Sequence, residues 1–453
     1  MTVLQRVMSR SIQIFTQDMT GPVVRVTPTR VHISDPKYFH EIYGITGANK
    51  YLKDPGFFST GGGIKHSVIM LTDPEAHRIR RKTIQNLFSP KGMQELSPRV
   101  EEVVKGGLEK LRISYKEGKP IDMNRIFKGV TADTIMQLMF GKTLGLIDSP
   151  EEEPEFVKIM RMFAQNFSWQ KHFPIVNTIS VLIPQSWADY LVPGYARFRK
   201  QCGKWLDEVT DRHKQGIYTD DYGRATIFDF LLRPNAEKGQ LELSRDVLID
   251  EAFAFFFAGT DTTSYALSMG SYYLMSNPSK LEKLRKELSD VPTNADGLLQ
   301  YNDIRNLPYF SATIKEILRL ACPVPGITPR VVPEEGMDVA GQYLPKGTII
   351  SLSMRMVHFN DSTYSDPYEF IPERWLGSTG KELDKWFVTF SKGPRMCLGL
   401  NMAYLEIYLC LANFFNQFNF ELHKTDENTA MWVDMGAAAK SKETIKAIVV
   451  GPR

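Results

Sequence analysis

From Ser244 to Ser276 the sequence contains no proline, and Asn277-Pro278 then ends the run. At about 1.5 Å per residue this stretch predicts a helix of roughly 50 Å, long enough to cross a whole domain. Its middle, EAFAFFFAG from Glu251 to Gly259, is apolar on every side. A helix with no polar face has to be buried all round, so the remainder of the chain must wrap it. The 453 residues, 43% of them hydrophobic, suffice for a large core.

The other segments read as its surroundings. VVRV (23–26) and RVHI (30–33) alternate about Pro28 and predict a β-hairpin. Asp35-Pro36 supplies an N-cap and a first-turn proline for a helix over KYFHEIYG. Residues 54–73, with Gly61, Gly62 and Gly63, read as loop. From Pro74 to Gly216 the pattern is mostly helical, with a break around 172–186 at Pro174 and Pro184, and 214–243 is polar and loop-rich. Further helices are expected over 308–321 and 401–417, short strands near 337–340 and 348–353, and β-like segments in the tail. With no internal repeat and no dividing linker, the expectation is one mainly α domain, 1–453, with a small β region.

Fifty-five Lys and Arg against 52 Asp and Glu, with no basic run, give no reason to expect a nucleic-acid partner. The eight histidines show no zinc-site spacing. The four cysteines, Cys202, Cys322, Cys397 and Cys410, form no C-x-x-C and fit a reducing compartment.

Cys397 has an unusual setting. FSKGPRMCLG (390–399) places Phe390, Gly393, Arg395, Cys397 and Gly399 just before an apolar helix. A thiolate that binds a metal is stabilised by backbone N–H groups and a nearby helix N-terminus. Glycines let the backbone approach a flat ligand or take positive φ, and an arginine two residues before the sulfur can pair with a carboxylate on that ligand. The alternative is a buried packing cysteine, the role expected for the other three. Within the long helix, AGTDTT (Ala258–Thr263) sets glycine, aspartate and threonines in an apolar environment. A buried carboxylate is costly unless paired or used, and threonine hydroxyls can bond back to i−4 carbonyls and bend the helix.

Together these stretches resemble the cytochrome P-450 family, the haem-thiolate monooxygenases, and the resemblance covers about residue 21 to the end. It implies the cytochrome P-450 fold, with the long central helix over haem b. It makes Cys397 the axial iron ligand, with Phe390 and Gly399 beside it and Arg395 on a haem propionate. Ala258 and Gly259 would lie over the haem, and Asp261 and Thr262 would manage protons. HRIRR (77–81) matches a motif in which many members carry tryptophan at the place of His77; His77 and Arg81 become propionate candidates, with Arg78, Arg80 and Lys82 on a solvated basic face. Arg330 in TPRVV matches another propionate arginine. KEILR and PERW supply Glu316, Arg319 and Arg374, a structural network in the family that holds the cysteine loop in register.

The resemblance, closest to fungal members of trichothecene-type pathways, implies a monooxygenase that inserts one atom of O2 into an apolar small molecule, a terpenoid or polyketide intermediate of secondary metabolism. By family geometry its pocket is lined by the 54–72 loop, the Phe163–Phe173 region, Phe255 to Ala258 and Val324 to Ile327. The sequence holds no dinucleotide fingerprint, so electrons are expected from NADPH through a separate reductase docking near Lys385, Lys392 and the 78–82 face. Two alternatives stay open: a haem-thiolate isomerase or dehydratase that does not use O2, and a non-enzymatic haem sensor or electron carrier. Residues 1–20 suggest an amphipathic helix and hold no apolar run able to span a bilayer. The anchor common in the family is therefore expected to be missing, with peripheral contact at the cytosolic face of the endoplasmic reticulum or a cytosolic location.

Overall fold

The central helix runs from Arg245 to Ser276, with the Ser244 hydroxyl accepting from the Val247 N–H at 3.5 Å. In the computed structural model, residues 21–453 are described except 48–49, 59–63, 150–153, 173–186, 188–194, 234–241, 427–431, 435–437 and 441–443. Helices Met123–Phe140, Tyr195–Lys214, Pro308–Ala321 and Leu400–Gln417 pack directly on the central helix. Phe253, Ala254, Phe256, Leu267 and Leu274 are completely or almost completely enclosed. Gly259 is the point of closest approach: a Cβ there would sit 2.9 Å from Cγ1 of Ile135 on the Met123–Phe140 helix. The helix thus accepts a poor helix former because nothing larger fits between the two.

The β region lies to one side. Its main sheet orders the strands Val23–Thr27, Arg30–Ile33, Ile349–Ser351, Arg330–Val331 and Leu52–Lys53. Only the pairing of Arg30–Ile33 with Ile349–Ser351 is parallel. A second sheet joins Ile121–Asp122, Lys446–Pro452 and Phe418–Leu422, and two small hairpins complete the set.

The predicted hairpin, the long helix, and the helices at 308–321 and 401–417 are found within a residue of their expected bounds. The helix after Asp35 starts later, at Tyr38. Asp35 instead accepts from the Lys37 N–H at 3.0 Å, a local aspartate turn that competes with helix initiation. Residues 54–73 contain a short helix, Pro55–Phe58. The polar 214–243 stretch holds another, Ile227–Leu231, opened by a Thr226–Asp229 capping box. The expected N-terminal amphipathic helix and nearly all of the 172–186 break fall outside the described residues. No helix among the described residues is long and apolar enough to cross a membrane.

Candidate active site

The cysteine loop is built by local hydrogen bonds. The Cys397 N–H donates to the Phe390 carbonyl at 2.8 Å, and the Met396 N–H to that of Gly393 at 3.0 Å. Gly393 has φ +67, and a Cβ there would come within 2.7 Å of the Tyr43 carbonyl oxygen, so only glycine serves both needs. Gly399 has φ −82 and needs no such freedom; a Cβ there would meet only the Cys397 sulfur, at 4.0 Å. Phe390 packs between Phe387 and Tyr404. Cys202, Cys322 and Cys410 are buried, whereas Cys397 is exposed by surface area. Yet protein atoms surround its thiol closely enough that burial pushes its pKa up, opposed by the Gly399 N–H and the Arg81 guanidinium.

Basic side chains gather near the cysteine loop. Arg395 donates to the Leu71 and Thr72 carbonyls at 2.7 and 3.1 Å, and Arg81 to the Met396 carbonyl at 2.8 Å. Arg330, 5% exposed, donates to the Pro329 carbonyl and lies over the Tyr43 ring. His77 is buried; burial, with Arg395, Lys53 and Arg81 nearby, lowers its pKa to about 3. Burial likewise lowers Arg395 to about 10, with Arg330 and Arg81 adding to the effect and Asp73 opposing it. The Asp73 carboxylate lies near Arg395, and its side chain caps a helix by accepting from the Ala76 N–H. Among the described residues none of Arg81, Arg330, Arg395 or His77 forms an ion pair. Basic side chains that form no ion pair among the described residues, with Arg81 close to the Cys397 thiol, fit a flat iron ligand carrying two carboxylates.

On the central helix, Phe257, Ala258, Gly259, Asp261 and Thr262 are only partly buried within an otherwise enclosed stretch. The Thr262 hydroxyl donates to the Ala258 carbonyl at 2.7 Å, the i−4 back-bond expected of a threonine there. Asp261 Oδ1 lies 3.0 Å from Lys128 Nζ on the Met123–Phe140 helix, an ion pair without hydrogen-bond alignment. Gly259 directs its missing Cβ at Ile135, which gives it a helix-packing role.

Glu316, Arg319 and Arg374 come together as one buried network. Glu316 accepts from Arg319 at 2.8 and 2.9 Å, Arg374 at 3.0 Å, the Ile371 N–H at 3.0 Å and the Trp375 indole at 2.8 Å. Other guanidinium protons go to the His358, Pro367, Glu369, Ser365 and Asp366 carbonyls. Burial pushes the Glu316 carboxyl up, but Arg319 and Arg374 more than offset this and hold it lowered.

Some residues were not visible in the sequence. Arg80, expected on a solvated face, is largely buried against Glu251, which also accepts from the Val68 N–H. Its position on the inner face of its helix, rather than its charge, decides this. Asp250, beside Glu251, binds the His66 N–H and Arg199. Lys53 joins the cationic cluster. Of the expected pocket lining, Phe163 is buried against Phe253 and Phe257, and no side chain from 164 to 173 is described. A separate crevice near Arg99, Asp133 and Tyr222 shares no residue with this site.

The cytochrome P450 family model matches residues 6–445. Over 423 residues the chain is 46% identical to cytochrome P450 monooxygenase BOT1 of Botryotinia fuckeliana, covering 93% of this chain and 82% of that protein. Cytochrome P450 monooxygenase ankB of Aspergillus thermomutatus is 36% identical, with 93% and 80% covered. Cytochrome P450 monooxygenase aneF of Aspergillus aculeatus is 33% identical, with 95% and 86% covered.

Proposed function

This chain belongs to the cytochrome P450 family, a haem-thiolate monooxygenase that uses O2, a small-molecule substrate and a redox partner, and we propose that Cys397 is its iron ligand within a single catalytic domain. The observation that carries this reading is the exposed Cys397 thiol with the Arg81 guanidinium close to it, while Arg81, Arg330 and Arg395 form no ion pair among the described residues. Arg81, Arg330, Arg395 and His77 hold the propionates, and Phe390 and Gly399 leave the sulfur free to ligate. The haem, once bound, supplies the activation of O2 with two electrons and two protons.

The chain's own residues direct those protons. Thr262 presents a hydroxyl on the partly accessible face of the central helix, where it orients a water against the site. Asp261, tied to the half-exposed Lys128, exchanges protons with solvent and passes them inward. Ala258 keeps the wall beside Thr262 small.

The electrons come from NADPH through a separate reductase, at a docking face that includes Lys385, Lys392, Arg78 and Lys82; Arg80 is withdrawn from that face by Glu251. The substrate is an apolar small molecule, a terpenoid or polyketide intermediate of fungal secondary metabolism, and the chain works at the cytosolic face of the endoplasmic reticulum. The largely apolar or small residues Phe255 to Ala258 and Val324 to Ile327 support an apolar ligand. The reduced carbonyl complex tests the central assignment. Wild type gives the red-shifted Soret band of thiolate ligation, and Cys397→Ala loses it; an unchanged spectrum in the variant overturns the reading.

A further inference from the structure

The central helix carries two carboxylates side by side on a stretch that is otherwise apolar: Asp250 and Glu251, 4% and 0% exposed. Burying one charge is costly unless it is paired, and burying two together adds their repulsion. Neighbours on a helix point about 100° apart, so the two reach different surroundings. Both nevertheless take a backbone N–H from the same non-helical segment, residues 64–72. Glu251 accepts from the Val68 N–H at 3.0 and 3.1 Å. Asp250 accepts from the His66 N–H at 3.2 Å, and the His66 ring Nδ1 lies 3.0 Å from the same oxygen.

Each carboxylate is shared with a further helix. Glu251 pairs with Arg80 of Pro74–Ile84, and Asp250 with Arg199 of Tyr195–Lys214 at 2.6 Å. At its other end the segment meets the cysteine loop, where Arg395 donates to the Leu71 and Thr72 carbonyls. The segment therefore bridges from the loop of Cys397 to the central helix. It reaches that helix two turns, about 10 Å, before the partly accessible Ala258. Local backbone bonds, from Ser67 to Ile64 and from Met70 and Leu71 to Ser67, shape its turns but do not fix where they sit. Its Ile64, Val68 and Met70 side chains are buried, which gives it an apolar inner face. We propose that Asp250 and Glu251 are positioning residues: they hold residues 64–72 against the central helix as a wall of the substrate pocket, and so set how long a large apolar ligand is retained.

The inference rests on the haem reading of Cys397, and the experiment separates the two. Holoenzyme is prepared as wild type, Asp250→Asn, Glu251→Gln, Arg199→Met and Arg199→Lys. Two azoles that bind haem iron serve as probes: clotrimazole, large and apolar, and imidazole, too small to lean on a pocket wall. Their dissociation from the reduced enzyme is timed on the Soret band, with excess carbon monoxide as the trap. Clotrimazole should leave about tenfold faster in Asp250→Asn, Glu251→Gln and Arg199→Met, the scale of one charge-assisted hydrogen bond, with Arg199→Lys close to wild type. Imidazole should leave at the same rate from all five proteins. Amide hydrogen exchange over residues 64–72 should speed up in the same three variants while the cysteine-loop peptide keeps its wild-type rate. Unchanged clotrimazole release in Asp250→Asn and Glu251→Gln overturns the proposal. Equal acceleration of both azoles also overturns it, because the carboxylates then support the fold as a whole and no particular wall. If the two carboxylate variants do not accumulate, the Arg199 pair decides: equal clotrimazole release from Arg199→Met and Arg199→Lys overturns the proposal. Failure of the haem reading shows separately, as a wild type without the thiolate carbonyl band.

Discussion

Arg319 and Arg374 share a carboxylate, that of Glu316, whereas among the described residues Arg81, Arg330 and Arg395 pair with none. Both groups are rich in arginine; the first is buried, and in the second Arg330 is buried while Arg81 and Arg395 are partly so. In the first, Glu316 takes five donors and the leftover guanidinium protons reach backbone carbonyls. In the second, the guanidiniums donate to carbonyls, and Arg395 has Arg330 and Arg81 near it with Asp73 only partly opposing them. A charge network closed on itself holds the fold together. One left with excess charge of a single sign is finished by a ligand of the opposite sign.

The largest effect should come from breaking the closed network. Glu316→Ala leaves two buried guanidiniums facing each other, and removing one partner of such a network costs about 3–5 kcal/mol. Haem-loaded soluble protein should fall to traces, measured by yield and carbonyl spectrum. A haem-replete variant with a normal spectrum would show that the network is dispensable.

Arg330→Met tests the open group, and its consequence should be of a different kind. It removes a repulsion with Lys53 as well as a propionate donor. The variant should accumulate as folded holoprotein but lose haem roughly tenfold faster, the scale of one charge-assisted hydrogen bond. Were it to fail as completely as Glu316→Ala, the two clusters would not differ as argued.

The contrast between the clusters also explains what the sequence disclosed. Glu316 and Arg319 are three residues apart on one helix, and the cysteine loop lies within ten residues, so local spacing exposes both. Lys53 gives no such signal. Its significance depends on a strand pairing across more than 270 positions, from 53 to 330, and on a register that no short motif specifies. The same holds for Arg80 and Glu251, brought together by how two helices pack. Gly259 shows the opposite case. Its motif is legible, but its close contact with Ile135 is not, because a glycine records neither which helix approaches nor from which side.

Glu251 differs from Glu316 in its partners. Both are fully buried and both meet arginine, yet Glu251 has one guanidinium and the Val68 N–H where Glu316 has two guanidiniums and two other donors. Burial pushes Glu251 up to about 7, and Arg80 only partly opposes it. The sign follows from proton binding. Between about 4.5, the ordinary value, and about 7, the folded form holds more protons than the unfolded form, so stability falls as pH rises through that window and levels off above it. Glu251→Gln should remove a stability change of about 3 kcal/mol over this range. Melting temperatures from pH 5 to 8, compared with wild type, check it; parallel curves would mean that Glu251 does not titrate there.

The smallest effect on stability is expected at Thr262, and that makes it informative about function. Its hydroxyl is already bonded to the Ala258 carbonyl within its own helix, and that carbonyl lies in the helical ladder. Thr262→Ala therefore strands no buried charge and opens only a small space on a partly accessible face, so yield, haem content and melting temperature should stay near wild type. What should change is the fate of electrons. A hydroxyl that positions a water beside the reacting oxygen favours proton delivery leading to product; without it the same electrons leave as hydrogen peroxide. With substrate and reductase present, Thr262→Ala should consume NADPH while yielding more peroxide and less product. Thr262→Ser, which restores the hydroxyl, should largely restore coupling. Asp261→Asn should behave differently, slowing turnover, because it removes the solvent-side carboxylate paired with Lys128 and leaves the hydroxyl in place. A wild-type ratio of product to peroxide in Thr262→Ala would leave the hydroxyl no role beyond its bond to Ala258.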